Sequence, residues 1–514
     1  DGDARLGLVS MGSAAGLGAS GSRPAPANEA VRVSRQSPPV SFLLGKDSVR
    51  AYAYAEGGSF NRGEIIARIA LVPARDGFSL KDAFARLFSG ARPGLSALFA
   101  STSRPRLGGY ETWYSHYLGI DESVVAADLG ACSSGSGLIS ALFPRDEGRT
   151  IFQIDDGWER TVGDWRPDPS KFPGGMKAQA DAIREAGFVP GLWFAPFLLM
   201  PGCPLAEEKP GWILKDDEGK PVIAGWNPGW GGDVWCLDLS LPEVEEHILG
   251  FLGTACDDWG FSYLKLDFLY AGLLRGKRAG RPGGAWEHYS RIISAIALGN
   301  PGVQILSCGA PIEATAPYAP LMRVGADTRE HWDWPILRAI GHQGRPSAMV
   351  NLQHSIGRAI LDGSVLYSDP DVVFLGGGGE KARKSSLGEK EKYLIALVAW
   401  MFGSQIMSSD MPSAKPGQAS GAASDPKPID LEKGILDYCR RMGEGDFWVE
   451  RLYPASSGLY GFRSRDGRIY GAVNLSSRTR VFAFPAPGSA EAPKEESCVI
   501  PGRSILVFGL PEKA

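Results

Sequence analysis

YLKLDF, residues 263–268, is a short apolar run that stops on a carboxylate. The same grammar recurs at 150–156 (TIFQIDD), 322–327 (MRVGAD) and 367–371 (YSDPD). Runs of this kind read as buried strands, since a strand covered on both faces is apolar throughout and does not alternate. Each run delivers acid to its C-terminal end: Asp155 and Asp156, Asp267, Asp327, Asp369 and Asp371. One such Asp is explained well enough as the N-cap of a following helix. A repeated layout instead describes parallel strands whose carboxyl ends share one face, where a (β/α)₈ barrel builds its site.

Outward from these runs, short apolar stretches alternate with helical ones from about 108 to 410. Candidate strands lie at 110–114, 150–154, 188–194, 234–239, 263–268, 303–308, 322–325, 364–368 and 405–408, and candidate helices at 176–186, 241–259, 286–298 and 389–402. The alternation predicts a parallel sheet with covering helices. Nine candidates are one more than a barrel needs, and 234–239 reads as a short extra strand. An open doubly wound sheet is disfavoured because no GxGxxG follows a strand. Residues 1–105 read as a short β-rich N-terminal domain, with strands at 40–44 and 65–72 and a poorly ordered first 35 residues. The barrel is expected over 106–435. A C-terminal antiparallel β-sandwich is expected over 436–514, with strands at 458–463, 470–474, 481–484 and 504–508. The Pro/Ala/Ser/Gly-rich stretch 413–427 reads as a surface loop.

The chain has 514 residues, 54 Lys and Arg against 58 Asp and Glu, and a net charge of −4. That length needs more than one core. That charge offers no basic face for nucleic acid or an anionic membrane, and no apolar run is long enough to span a bilayer. Seven scattered cysteines, with no close CxxC pair, read as reduced thiols. They lean toward a cytoplasmic location, while the start at Asp1 leaves a trimmed leader open. None of the six histidines makes an HExxH pair, and GxSxG and P-loop motifs are absent.

Carboxylates with Lys265 and Arg323, and no histidine cluster, suit glycosidic cleavage, which needs two carboxyls about 5–5.5 Å apart for retention or about 6.5–9.5 Å for inversion. The remaining polar groups would hold hydroxyls, and Trp193 would pack on a sugar face. The bland alternatives are Trp193 as core, and Lys265 and Arg323 as structural ion pairs. An enolase-type magnesium site is the competing chemistry.

At these residues the chain resembles the α-galactosidases of glycoside hydrolase family 36, especially the compact bacterial type. The resemblance runs in order through FQIDDGWE (152–159), GDW (163–165), FVPGLWFAPF (188–197), WCLDLS (235–240), YLKLDFLYAG (263–272), SCGAP (307–311), MRVGADT (322–328) and YSDPD (367–371). It implies a (β/α)₈ barrel between an N-terminal β-sandwich-like domain, short here, and a C-terminal β domain. It also implies a retaining α-galactosidase, without cofactor or metal, acting on small oligosaccharides. Asp267 matches the nucleophile and Asp327 the acid/base. Asp155 and Asp156 match the pair that grips O4 and O6. Lys265, Arg323, Trp193 and Cys308 match sugar-binding positions, and Asp369 a supporting one. Trp332 and Trp334 in HWDWP fit either a leaving-group rim or core.

Two departures from the family pattern concern the pocket walls. The portion before the barrel is short, and the aromatic that the family's N-terminal domain contributes is not located in it; Trp113 is assigned to the first barrel strand. A Ser/Gly-rich stretch, ACSSGSG within 121–148, looks inserted. The competing functions are a galactosyl transferase of the raffinose-synthase type, an α-N-acetylgalactosaminidase on the same site, and a sugar-binding protein without catalysis.

Overall fold

The computed structural model describes residues 5–10, 40–44, 49–53, 69–74, 77–88, 106–134, 138–143, 148–342, 344–375, 385–410, 428–443, 445–452, 458–485 and 495–511. Seven strands pair in parallel in chain order: β1 (Leu107–Glu111), β2 (Thr150–Ile154), β3 (Val189–Phe194), β4 (Tyr263–Leu266), β5 (Gln304–Ser307), β6 (Leu321–Arg323) and β7 (Tyr367–Asp369). β8 (Gln405–Ser408) pairs in parallel with β1. Val372–Val373 carries β7 on beyond Pro370 and Asp371 and pairs with β8. The Ser404 amide also donates to the Ser368 carbonyl at 2.8 Å. The ring therefore closes as a TIM-like barrel, with a seam in β7. The seam has a cause: Pro370 has no N–H to give the ladder, and Asp371 lies in the left-handed region at φ 73°.

A helix follows each of the first seven strands: Glu122–Ser133, Gly175–Glu185, Pro242–Gly253, Ala285–Gly299, Ile312–Thr315, Ala348–Gly357 and Glu389–Phe402. Gly175–Glu185 shows why such segments are helical. Its buried residues Met176, Gln179, Ala180 and Ile183 fall at i, i+3, i+4 and i+7, one stripe facing the sheet. Asp121 caps Glu122–Ser133 by accepting the Val124 amide, and Ser347 caps Ala348–Gly357 by accepting that of Val350.

Within 121–148, helix Glu122–Ser133 is the crossover that a parallel β1–β2 connection requires, and 135–137, the end of the Ser/Gly-rich piece, lie outside the described residues with 144–147. One expectation is corrected. Trp113 is outside the first strand. It opens the short helix Trp113–His116 on the active face, and Tyr114 with it. The extra strand near 234 is real: Gly232–Cys236 joins Leu198–Leu199 and Ile223–Asn227 in a small antiparallel sheet within the β3 to β4 connection.

Helix Glu389–Phe402 is buried over most of its length, between the barrel, helix Pro428–Met442 and strand Ser504–Phe508. Residue 436, the expected start of the C-terminal unit, falls inside Pro428–Met442. Beyond it Phe447–Leu452, Leu459–Ser464, Tyr470–Asn474 and Ser504–Phe508 form an antiparallel sheet. Phe482 and Ile500, on the hairpin of Arg480–Pro485 and Glu495–Ile500, pack with Leu459 and Ala472. At the other end Arg5–Ser10 pairs with Ile69–Ala74, and Val40–Leu44 with Val49–Ala53. Helix Gly77–Phe88 packs Leu80 and Phe84 on Met322, Val324, Val365 and Leu366 of the barrel. The expected loop at 413–427, and the first 35 residues apart from 5–10, lie outside the described residues. Among the described residues no helix is long and apolar enough to cross a membrane, and all seven cysteines are free thiols.

Candidate active site

Side chains two apart on a strand share a face, so β4 presents Lys265 and Asp267 together. Lys265 Nζ donates to Asp155 Oδ2 at 2.8 Å and to Glu111 Oε2 at 3.4 Å. All three side chains are almost wholly buried. Gln153 Nε2 braces both acids, at 2.5 Å from Asp155 Oδ2 and 3.3 Å from Glu111 Oε2. Burial pushes Glu111 up to about 8; Lys265 opposes this, and Asp155 and Asp371 add to it. Burial alone would lower Lys265, but Asp155 and Glu111 outweigh it and hold the ammonium charged.

Asp156 faces the other way. The Trp230 indole N–H reaches its Oδ2 at 2.8 Å, while its Oδ1 is buried with no hydrogen-bond partner among the described residues. Burial, then the Glu159 carboxyl, raise the Asp156 carboxyl well above its usual range. A buried acceptor left open is costly, and a ligand hydroxyl would satisfy it.

Asp267 is held by two N–H groups. Trp193 Nε1 donates to Oδ2 at 3.3 Å and the Phe268 amide to Oδ1 at 2.7 Å. Phe268 adopts a left-handed conformation, φ 54°, which turns the chain back so that its own amide can do this. Trp193 is core and site at once: it is buried, packs edge-on to Trp165, and still delivers its N–H to the carboxylate.

Arg323 organises the opposite wall. Its Nε meets Asp369 Oδ2 at 2.5 Å, Nη2 meets Asp371 Oδ1 at 3.1 Å, and Nη1 meets Asp327 Oδ1 at 3.4 Å. Asp371 Oδ2 also accepts the Tyr114 hydroxyl at 2.9 Å and the Thr328 amide at 2.8 Å. Asp369 and Asp371 have no exposed side-chain surface, whereas 47% of the Asp327 side chain is open. Desolvation and then the Asp371 charge push Asp327 up to about 6, against Arg323 and with Asp267. The loop before Asp327 is clamped by helix Ala348–Gly357. His354 Nδ1 accepts the Ala326 amide at 3.3 Å, and Asn351 Nδ2 donates to the Ala326 carbonyl at 3.0 Å. Cys308 is buried just after β5, its thiol pushed up by burial, with Arg323 and Asp267 near enough to act on it electrostatically.

The anticipated residues Asp155, Asp156, Trp193, Lys265, Asp267, Cys308, Arg323, Asp327 and Asp369 thus come to one face of the barrel. Trp332 instead packs in the core, with the Arg503 guanidinium over its ring at 5.2 Å. Trp334 is half-buried and edge-on to His331. Glu111, Tyr114, Trp230 and the bridging role of Asp371 were not anticipated. Glu111 carried a signal, since GYE at 109–111 also ends a strand on an acid. Among the described residues no group of His, Cys, Asp and Glu is arranged to hold a metal ion. The acids are instead matched by the chain's own cations, Asp155 and Glu111 by Lys265, Asp369 and Asp371 by Arg323.

The family model described as Melibiase matches residues 128–272. Alpha-galactosidase C of Emericella nidulans is 26% identical over 187 residues, 33% of this chain and 22% of that protein. The matched stretch is thus under a quarter of the length of that fungal relative. An α-galactosidase of Thermus thermophilus, solved with stachyose, is 31% identical, with a TM-score of 0.57 over 74% of this chain and 72% of that one. A family-36 α-galactosidase of Geobacillus stearothermophilus shares the fold at 17% identity, with a TM-score of 0.57 over 86% of this chain and 60% of that one.

Proposed function

Because the chain belongs to the α-galactosidases of glycoside hydrolase family 36, we propose that it hydrolyses terminal α-linked galactosyl residues of oligosaccharides with retention of configuration. Asp267 attacks the anomeric carbon as the bond to the leaving oxygen breaks, and Asp327 gives that oxygen its proton. A β-galactosyl ester on Asp267 results. Asp327, now a carboxylate, takes a proton from water, which attacks the same carbon and releases Asp267 and α-galactose.

The observation that carries the reading is the contrast between the two carboxyls. Asp327 is open to the pocket and pushed up to about 6, where a group can both give and take a proton near neutral pH. Asp267 is steered by two N–H donors. The other roles follow the same reading. The open oxygen of Asp156, with Asp155, accepts hydroxyls O4 and O6; Lys265 and Arg323 bind and orient; Trp193 aims Asp267; Cys308 lines the floor; and Asp369 anchors Arg323. A division at 1–105, 106–435 and 436–514, with β-sandwich-like flanking domains, belongs to the same proposal.

The test is the initial rate on nitrophenyl α-galactoside, α-N-acetylgalactosaminide, α-glucoside and β-galactoside, with and without EDTA, with the first-formed anomer read by NMR. Turnover of the α-galactoside to α-galactose, indifferent to EDTA, is expected. First-formed β-galactose would sink the two-step mechanism, and silence on the whole panel would sink the activity.

A further inference from the structure

Lys265 is the only ammonium in reach of the Asp155 carboxylate among the hydrogen bonds described, and it is approached from two sides. Asp155 comes from the end of β2. Glu111 comes from the end of β1, where its Oε1 lies 3.3 Å from the Ser409 hydroxyl, which itself donates to the Glu111 carbonyl at 2.9 Å, and its Oε2 accepts Gln153 and Lys265. Every hydrogen bond of the Glu111 carboxyl among the described residues is therefore with a residue on, or directly after, a barrel strand. We propose that Glu111 is a positioning residue for sugar binding: it holds the far side of the Lys265 ammonium, and so fixes the direction in which Lys265 and Asp155 meet the substrate.

This rests on the reading of Lys265 and Asp155 as sugar-binding groups. Two features make Glu111 more than a structural brace. First, no backbone amide among the described residues caps it, so apart from Ser409 its orientation is set through the same Lys265 and Gln153 that orient Asp155. Second, one ammonium cannot fully serve two carboxylates. Burial keeps Glu111 protonated through neutral pH, with its titration near 8; the charged groups acting on it are Lys265 from β4, Asp155 from β2, Asp371 beyond β7 and Arg323 from β6. While Glu111 is neutral, it accepts from Lys265 weakly and leaves that charge to Asp155 and the ligand. Once ionised it competes for the ammonium outright, since the attraction of opposite charges, strong in a buried site, is added to the hydrogen bond. Sugar binding is then expected to weaken above about pH 8 for a reason separate from Asp327.

Glu111→Gln and Glu111→Ala, compared with wild type on an α-galactoside from pH 5 to 9.5, test this, with galactose affinity by calorimetry alongside. The alanine variant is expected to raise KM and the galactose Kd by about tenfold, with kcat within about threefold. The glutamine variant, an isostere of the neutral acid, is expected to recover wild-type KM at pH 7. It should also stay flat where wild-type KM climbs past pH 8. The ratio of the two KM values removes whatever Asp327 contributes, because both chains carry it. A KM indifferent to Glu111 at every pH, with turnover intact, overturns this inference and leaves the α-galactosidase reading standing. So does a loss confined to kcat. If Glu111→Ala proves unfolded, Glu111→Gln alone decides through the alkaline limb. A wild-type chain with neither turnover nor galactose binding overturns both readings.

Discussion

Replacing Asp371 by Asn should move the working pH of the enzyme although Asp371 is not placed against the substrate. Asp327 is displaced from 3.8 to about 6, roughly two units, with burial the largest cause and the Asp371 charge the next. Arg323 and Lys265 pull the other way, and loss of the Asp371 charge is expected to lower Asp327 by on the order of one unit, about 1.4 kcal/mol. The indirect effect has the same sign. Without the Asp371 charge, the Nη2 end of Arg323 keeps at most a neutral acceptor at 3.1 Å, and more of the guanidinium charge is left to Asp327, which lowers it further. A general acid works protonated, so kcat/KM on a substrate whose leaving group needs a proton stays level below its pKa and falls about tenfold per unit above it. For wild type the fall is expected to begin near pH 6; for Asp371→Asn it should begin on the order of one unit lower. The assay is galactose release from raffinose between pH 4.5 and 8, because a nitrophenol leaves without help and would hide the limb. A limb that stays in place, or moves up, would refute the assignment of Asp371 as the group that holds Asp327 high.

Asp267→Ala and Asp327→Ala are each expected to lose several orders of magnitude in turnover on raffinose; on nitrophenyl α-galactoside, whose leaving group needs no proton, added azide should give β-galactosyl azide from the first and α-galactosyl azide from the second, read by NMR, and the opposite pairing would reverse the two roles. Arg323→Met leaves Asp369 and Asp371 buried without their cation, and is expected to cost about 3–5 kcal/mol in a denaturation experiment; an unchanged midpoint would mean those acids are held by something else. Asp156→Asn keeps the shape but makes the open oxygen's carboxyl permanently neutral; galactose binding should weaken while the melting temperature holds or rises, and a large fall in melting temperature would favour a structural role. The folded pKa of Asp156 is raised, so its carboxyl costs stability as pH climbs through and above its unfolded value, and Asp156→Asn should gain on wild type in that direction.

Sequence patterning located elements where the environment is uniform. β2, β8 and helix Glu389–Phe402 are legible to the residue because the strands are short runs buried on both faces and the helix carries an unbroken apolar run from Leu394 to Phe402. It failed at β1, which lies three residues earlier than the aromatic run suggested. Gly108 and Gly109 discourage a strand by propensity, yet the packing demands them: a Cβ on Gly108 would come within 2.2 Å of the Phe143 ring, and one on Gly109 within 2.3 Å of the Ile151 carbonyl. The mistake displaced Trp113 and hid Glu111 as a strand-end acid. At β7 the apolar 364–366 looked like strand, whereas the pairing begins at Tyr367. The acids themselves were visible because charge at the end of an apolar run is conspicuous. Their partners were not, because Trp230 reaches Asp156 from the small sheet in the β3 to β4 connection and Tyr114 reaches Asp371 from across the barrel mouth, distances in sequence that no local pattern encodes.

The seam in β7 bears on how this enzyme can be improved. Pro370 and Asp371 interrupt β7 where it meets β8, and the two acids that hold Arg323 stand on either side of Pro370. A designer seeking heat resistance would be drawn to mend it, replacing Pro370 with a residue able to pair and relaxing the left-handed Asp371. The mended strand would be stronger, but it would swing Asp371 away from Tyr114 and Thr328 and with it the proton affinity of Asp327. Robustness and acid strength are tuned here by the same two residues, so variants hardened at the seam are expected to trade rate for endurance. Stabilisation sought instead on the outer helices would leave that trade untouched.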